Sequence, residues 1–80
     1  MINAKVYVTL KKGVLDPQGK AVQHSLVSLG YGEVSDVRLG KYVEVKLDGT
    51  DKEKAKADVK EMCEKLLANT VIEDYRFDIE

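Results

Sequence analysis

Two potentially reactive side chains occur once each in this chain, Cys63 and His24. Cys63 falls at helical spacing among Ala55, Val59, Met62 and Leu66, so the expectation is a buried thiol packing as a small hydrophobe. His24 is placed on the outward face of a helix, where a solvated side chain is expected and a partner contact is the other option. With no second histidine or cysteine, the usual metal-ligand sets cannot be assembled. A lone histidine without a designated nucleophile is a poor catalytic signal. The carboxylates are scattered over strand ends and helix surfaces and read as a solvated face. No catalytic residue and no bound cofactor or metal is therefore expected.

The stretch Gly13-Val14-Leu15-Asp16-Pro17-Gln18-Gly19-Lys20 carries more information. Asp16 suits an N-cap, since its carboxylate can accept from the unpaired amides of a first helical turn. Pro17 then takes the first helical position, where a missing N–H costs nothing. Gly19 within the first turn leaves the backbone bare, so another chain or a ligand can come close. Val14 and Leu15 are apolar in a loop; they either close the core or meet a partner. All eight residues are assigned here to a partner-binding surface. Lys11-Lys12-Gly13 before a helix N-terminus can also hold an anion, but the glycine spacing matches no phosphate-loop template.

Tyr7 and Tyr42 are the third candidate. Both fall on strand faces pointing away from the core, with Thr9 and Glu44 beside them. Base stacking on an open sheet uses aromatics in comparable places, yet the segment Gly40–Val45 lacks the aromatic density for it, and Glu44 repels phosphate. The four residues are read instead as an oligomer interface, where tyrosine serves with one apolar and one wet end.

The elements that must position these residues follow from periodicity. Asn3 to Leu10 alternates, with Ala4, Val6, Val8 and Leu10 on one side, and predicts a strand. A helix is expected over 17–29, with Val22, Ser25, Leu26 and Leu29 on its core face and Gly30 as its stop. Val34–Leu39 and Lys41–Leu47 read as two strands joined by a tight turn at Gly40. Thr50 and Glu53 have the spacing of a capping box for a helix reaching about Ala68, with Glu61 and Lys65 as an i,i+4 pair and Asn69 as an αL cap. Val71 to Ile79 alternates again. The resulting order β-α-β-β-α-β predicts an α+β, ferredoxin-like single domain over 1–80. Two helices would cover one face of a four-stranded antiparallel sheet in the order 4-1-3-2.

Composition narrows the function classes. The chain has 80 residues, 44% hydrophobic and 34% charged, which suits one small globular domain that gains from oligomerisation. A net charge of −1 supplies no basic excess for phosphate neutralisation, which argues against nucleic acid as partner. One unpaired cysteine fits a reducing cytoplasmic setting. No run approaches a membrane span, and the N-terminal residues lack the apolar region of a signal peptide.

Lys5-Val6-Tyr7-Val8-Thr9-Leu10-Lys11-Lys12-Gly13-Val14-Leu15-Asp16-Pro17-Gln18-Gly19-Lys20-Ala21-Val22, together with Leu29-Gly30-Tyr31 and Val37-Arg38-Leu39-Gly40-Lys41, closely resembles the PurS family. These are small subunits of phosphoribosylformylglycinamidine synthase in purine biosynthesis. The resemblance implies a non-catalytic, oligomeric subunit joining two partners. One is a glutaminase subunit, PurQ, that releases ammonia; the other is a large subunit, PurL, that uses ATP and Mg. Assistance with ammonia transfer between them is implied as well. The alternative from another class is an ACT-like small-ligand regulatory domain, which shares the fold class and binds metabolites at subunit interfaces. An acylphosphatase-like enzyme is the weakest reading, because the loop offers no obvious phosphate-gripping arginine.

Overall fold

The central element is β1 (Ile2–Leu10), which pairs antiparallel on both edges in a computed structural model describing residues 1–80. The order along the chain is β1, α1 (Pro17–Ser28), β2 (Gly40–Leu47), α2 (Lys52–Met62), a π-helical turn (Cys63–Leu67) and β3 (Glu73–Ile79). The sheet order is β2-β1-β3, with Tyr7 opposite Tyr42 on one side and Arg76 on the other. Period two places Ile2, Ala4, Val6 and Val8 on the covered face, all buried. Val43, Val45 and Leu47 of β2, and Tyr75, Phe77 and Ile79 of β3, join them from either side.

The sheet has three strands, not four. The pairing of the predicted first, third and fourth strands is present, but Val34–Leu39 forms no ladder. Its backbone groups are engaged elsewhere. Gln23 Nε2 donates to the carbonyls of Val34 and Ser35 at 3.2 and 3.1 Å, and the Leu39 amide donates to Asp16 Oδ2 at 2.9 Å. The predicted hairpin turn at Gly40 is absent for a related reason: Gly40 is a strand residue paired with Thr9. A Cβ there would overlap the Val8 carbonyl oxygen and crowd the Thr9 methyl. The glycine permits close strand approach and makes no turn.

Only one helix covers the sheet. Ala55, Val59 and Cys63 are spaced four apart and fully or nearly fully buried over β1 and β3. Asp51 caps α2, accepting from the amides of Glu53 and Lys54 at 3.1 Å each, so the expected box based on Thr50 gives way to the next residue. The helix then widens. The Ala68 amide reaches back five residues to the Cys63 carbonyl, at 3.0 Å. That extra residue per turn carries Leu67 and Ala68 onto the core and rotates Leu66 out to 83% exposure, although regular spacing had assigned Leu66 inward. Asn69 takes no left-handed conformation; its side chain and carbonyl accept from Val71, Ile72 and Glu73 and so turn the chain into β3.

α1 does not pack on the sheet, contrary to the expected two-helix layer. None of its residues belongs to the core, and Val22, Val27 and Leu29 are exposed. With the returning segment 31–39 it forms an arm. The arm makes the molecule 48 Å long and raises the radius of gyration to 16.0 Å, where a closed chain of this length has about 12 Å. Gly30 ends α1 with φ +106°, as read from the sequence. Val59→Ala is expected to cost about 2–3 kcal/mol through lost burial and the cavity left behind. Val71→Ala, on an exposed position, should stay within about 0.5 kcal/mol. Urea unfolding of both variants measures the difference.

Candidate functional site

The loop after β1 and the first turn of α1 are built around one carboxylate. Asp16 is only 7% exposed. Its Oδ1 accepts from the Gly19 amide at 2.9 Å, and its Oδ2 from the Leu39 amide at 2.9 Å. The first bond is the predicted N-cap. The second ties the start of α1 to the end of segment 31–39, so one side chain clamps both ends of the arm. These two amides, the Gly19 bond foremost, hold the Asp16 carboxyl below the usual carboxylate range, and the Arg38 guanidinium adds to the effect. Arg38 Nη1 also donates to the Val14 carbonyl at 2.7 Å.

Gly19 is buried within the chain. A Cβ on it would overlap the Val37 carbonyl oxygen and press on the Asp16 carboxylate. The close approach that the bare backbone allows is therefore made by this chain's own segment 31–39. Around it Gly13, Leu15, Pro17, Gln18 and Lys20 are exposed and Val14 is half-buried. The stretch 13–20 thus divides into an internal clamp (Asp16, Gly19) and an outward rim. The cleft between them, lined by Val14, Leu15, Lys20, Val37 and Arg38, holds only about 110 Å³. Typical small-molecule sites begin near 300 Å³. Sequence reasoning missed Arg38, Gln23 and Leu39. Their roles depend on where segment 31–39 lies, and its alternation pointed to a strand instead.

The second candidate is the uncovered sheet face. Register brings three side chains into a row across the strands. The Tyr42 and Tyr7 rings lie 5.2 Å apart, and the Arg76 guanidinium sits 3.9 Å from the centre of the Tyr7 ring on the far side. Tyr42 Oη donates to Glu44 Oε1 at 2.9 Å. Partial desolvation, then the Glu44 carboxylate, pushes the Tyr42 phenol up. Lys5 Nζ lies 3.0 Å from Glu80, which raises the ammonium's pKa. Thr9 stands beside this row on β1, near Asp74 and Arg76. The face is an aromatic plate edged by opposite charges, suited to a wet contact surface.

A third feature had no counterpart in the sequence reading. Because α2 lies over β1 and β3, the inward residues of β2 are only half covered. Beside them opens an apolar groove of about 410 Å³, lined by Val45, Met62, Leu66 and Leu67, with Asp58, Glu61 and Lys65 at its rim. Cys63, the first residue of the π-helical turn, faces the core fully buried, and burial pushes its thiol pKa up. Nowhere do three histidine, cysteine, aspartate or glutamate side chains converge as a metal site would need. No helix is long and apolar enough to cross a membrane.

Residues 3–80 match the family model described as PurS: phosphoribosylformylglycinamidine (FGAM) synthase. The Bacillus subtilis phosphoribosylformylglycinamidine synthase subunit PurS is 61% identical over 80 residues, which is all of this chain and 94% of that protein. The fold is similar to the crystal structure of Methanocaldococcus jannaschii PurS, described as one of the subunits of formylglycinamide ribonucleotide amidotransferase. The TM-score is 0.87 at 44% identity, covering 100% of this chain and 96% of that one. It is also similar to a chain of the Thermotoga maritima structure described as PurLQS. There the TM-score is 0.86 at 31% identity, covering 100% and 99% of the two chains.

Two outcomes follow from this geometry. The Asp16 carboxyl has a lowered pKa in the fold, so its contribution to stability is fully present above about pH 4, its unfolded value. It is lost as pH falls through the lower folded value. Asp16→Asn should lower the melting temperature by several degrees at pH 7 and flatten the acid limb of the stability profile; calorimetry across pH 2–7 measures both. Cys63 should react with a thiol reagent slowly in the native chain and at once in urea, and fast native labelling would contradict its burial.

Proposed function

The chain belongs to the PurS family, and from that premise we propose how it serves phosphoribosylformylglycinamidine synthase, the enzyme of which PurS is a subunit. In this reading it is the non-catalytic subunit that holds the glutaminase (PurQ) and the ATP- and Mg-using synthetase (PurL) in fixed relation. It assists the passage of ammonia from one to the other. The observation that carries the reading is the end-to-end fold match to a chain of a structure described as PurLQS. The residues agree with it. The one thiol is buried in the core, and the one histidine is exposed on α1. Ammonia released into water is protonated and lost to the reaction. A subunit that closes a junction and excludes water there protects it without any chemistry of its own.

The outward rim Gly13, Val14, Leu15, Pro17, Gln18 and Lys20 is the proposed contact for the synthase partners, with Asp16 and Gly19 holding its shape from behind. Self-association belongs to the same reading, and Tyr7, Thr9, Tyr42 and Glu44 form a wet surface for it. The setting is the cytoplasm. The ACT-like alternative lacks a ligand-sized cleft at the loop, whose volume falls well below that of usual sites.

Reconstitution tests the reading. The chain alone should show no glutaminase, ATPase or ligase turnover, and adding it to the two partner subunits should restore glutamine-dependent synthesis. Leu15→Asp, on an exposed position, should leave the melting temperature within a few degrees yet reduce glutamine-dependent synthesis at least tenfold. Synthesis fed by added ammonia should fall less. Equal loss in both assays would move the rim from transfer to catalysis in the large subunit. Normal assembly and coupling would remove it from the interface.

A further inference from the structure

β3 is an outer strand of the sheet, and its far edge has no partner in the chain. Asn3 and Glu80 exchange both backbone bonds, at 3.1 and 2.8 Å. The register then steps by two, so Asp78, Arg76 and Asp74 also turn their backbone groups toward β1. The residues between them point the other way. The N–H and C=O groups of Tyr75, Phe77 and Ile79 therefore line the free edge. Only the Glu73 amide, at the start of the row, is taken, by the Asn69 carbonyl at 2.7 Å. Natural proteins blunt such edges with proline, lysine, a bulge or a covering segment. β3 contains neither proline nor lysine, and its ladder with β1 runs without a bulge.

The side chains of the same three residues are also incompletely covered. Tyr75, Phe77 and Ile79 are half-buried, whereas Val6 and Val8 on the neighbouring strand are fully buried. The Tyr75 and Phe77 rings stack with centres 6.5 Å apart, which leaves an apolar shelf at the margin of the core. On the opposite face Asp74, Arg76 and Asp78 are exposed. A strand laid along the edge would satisfy the free backbone groups and extend the shelf with alternate side chains. Its other side chains would stand beside the two aspartates. Charge selects the occupant. Residues 73–80 carry four carboxylates and one arginine. Lys5 and Lys11 offset Glu80 and Asp74 from the side of β1, so Arg76 is the strand's own only cation. A second copy of β3 would bring the same acidic excess against itself. A segment alternating apolar with basic residues complements both faces. We propose that β3 accepts such a segment, extended, from one of the two larger synthase subunits as a fourth strand of the sheet. This rests on the partner-binding role in the proposed function and gives that role a second surface, apart from residues 13–20.

Residue-resolved amide exchange tests the strand addition, in the chain alone and in the complex reconstituted with PurL and PurQ. In the chain alone the amides of Asp74, Arg76 and Asp78 should be protected, while those of Tyr75, Phe77 and Ile79 exchange fast. The complex should slow the second set roughly tenfold or more and so remove the alternation. N-methylation of the Phe77 amide removes one outward donor and keeps the side chain and the β1 pairing. Ligation of a synthetic segment 63–80 at Cys63 supplies that chain. Assembly should weaken roughly tenfold with the circular dichroism unchanged. Should the ligated chain not refold, Asp74→Lys with Asp78→Lys, both exposed, should weaken assembly by roughly the same factor. A complex in which Tyr75, Phe77 and Ile79 still exchange freely would overturn the strand addition and leave the partner-binding reading standing. Normal assembly of either variant would do the same. Protection of these three amides in the chain alone would give the edge to another copy and overturn it as well. Failure to form any complex would overturn both readings together.

Discussion

Asp16 decides what shape the first half of this chain takes. A carboxylate this deeply placed is tolerated because both of its oxygens accept backbone amides, one from each end of the arm. The same two bonds satisfy donors that would otherwise lack partners: an amide of the first turn of α1, and the last amide before β2 begins. Segment 31–39 is thereby drawn against α1 and away from the sheet. β2 keeps an unpaired outer edge as a consequence. Gly19 belongs to the same constraint, since only a residue without Cβ lets the Val37 carbonyl come so near the helix.

The rest of the architecture follows from what is left to form a core. With α1 set apart, burial falls to β1, α2 and the π-helical turn, and the fully buried side chains are Val6, Val8, Val59 and Cys63. That is a thin core for 80 residues, of the kind that small domains reinforce by association. The π turn deepens the imbalance. By giving the core Leu67 and Ala68 it leaves Leu66 outside, beside the half-covered Val45. The open groove is thus the local result of one extra residue in a helical turn and the absence of a second helix over β2.

The local signals in the sequence were sound where a residue's neighbours in the chain decide its role. The alternation of 3–10, that of 73–79 within the expected 71–79 (Val71 and Ile72 lie in the turn before it), the cap at Asp16 with Pro17 behind it, the stop at Gly30 and the inward line Ala55-Val59-Cys63 are present. Positions decided by a distant partner read differently. Val34–Leu39 alternates as a strand does, but a strand also needs a free neighbour, and its backbone is bonded to Asp16 and Gln23. Gly40 has the composition of a turn and the role of a close strand crossing. Gly19 signalled a close approach, and only the fold identifies the approaching group as the chain's own Val37. The tyrosine row was legible because alternation sets which side chains share a face. The groove was not, because nothing in a regular heptad announces a π turn.

These features bear jointly on how a small chain without reactive groups can organise larger ones. Its surfaces differ in chemistry: a charged aromatic plate on the sheet, a dry arm and groove, and a mixed rim at the arm's base. Contacts of different character need not compete for the same residues, so self-association and partner binding can hold together. They are not independent, however. Leu15, Pro17 and Gln18 stand on the clamp that fixes the arm, and the arm's angle determines where that rim points relative to the sheet. The rigidity that Asp16 gives the arm base is therefore useful beyond stability: it fixes where the rim points relative to the sheet.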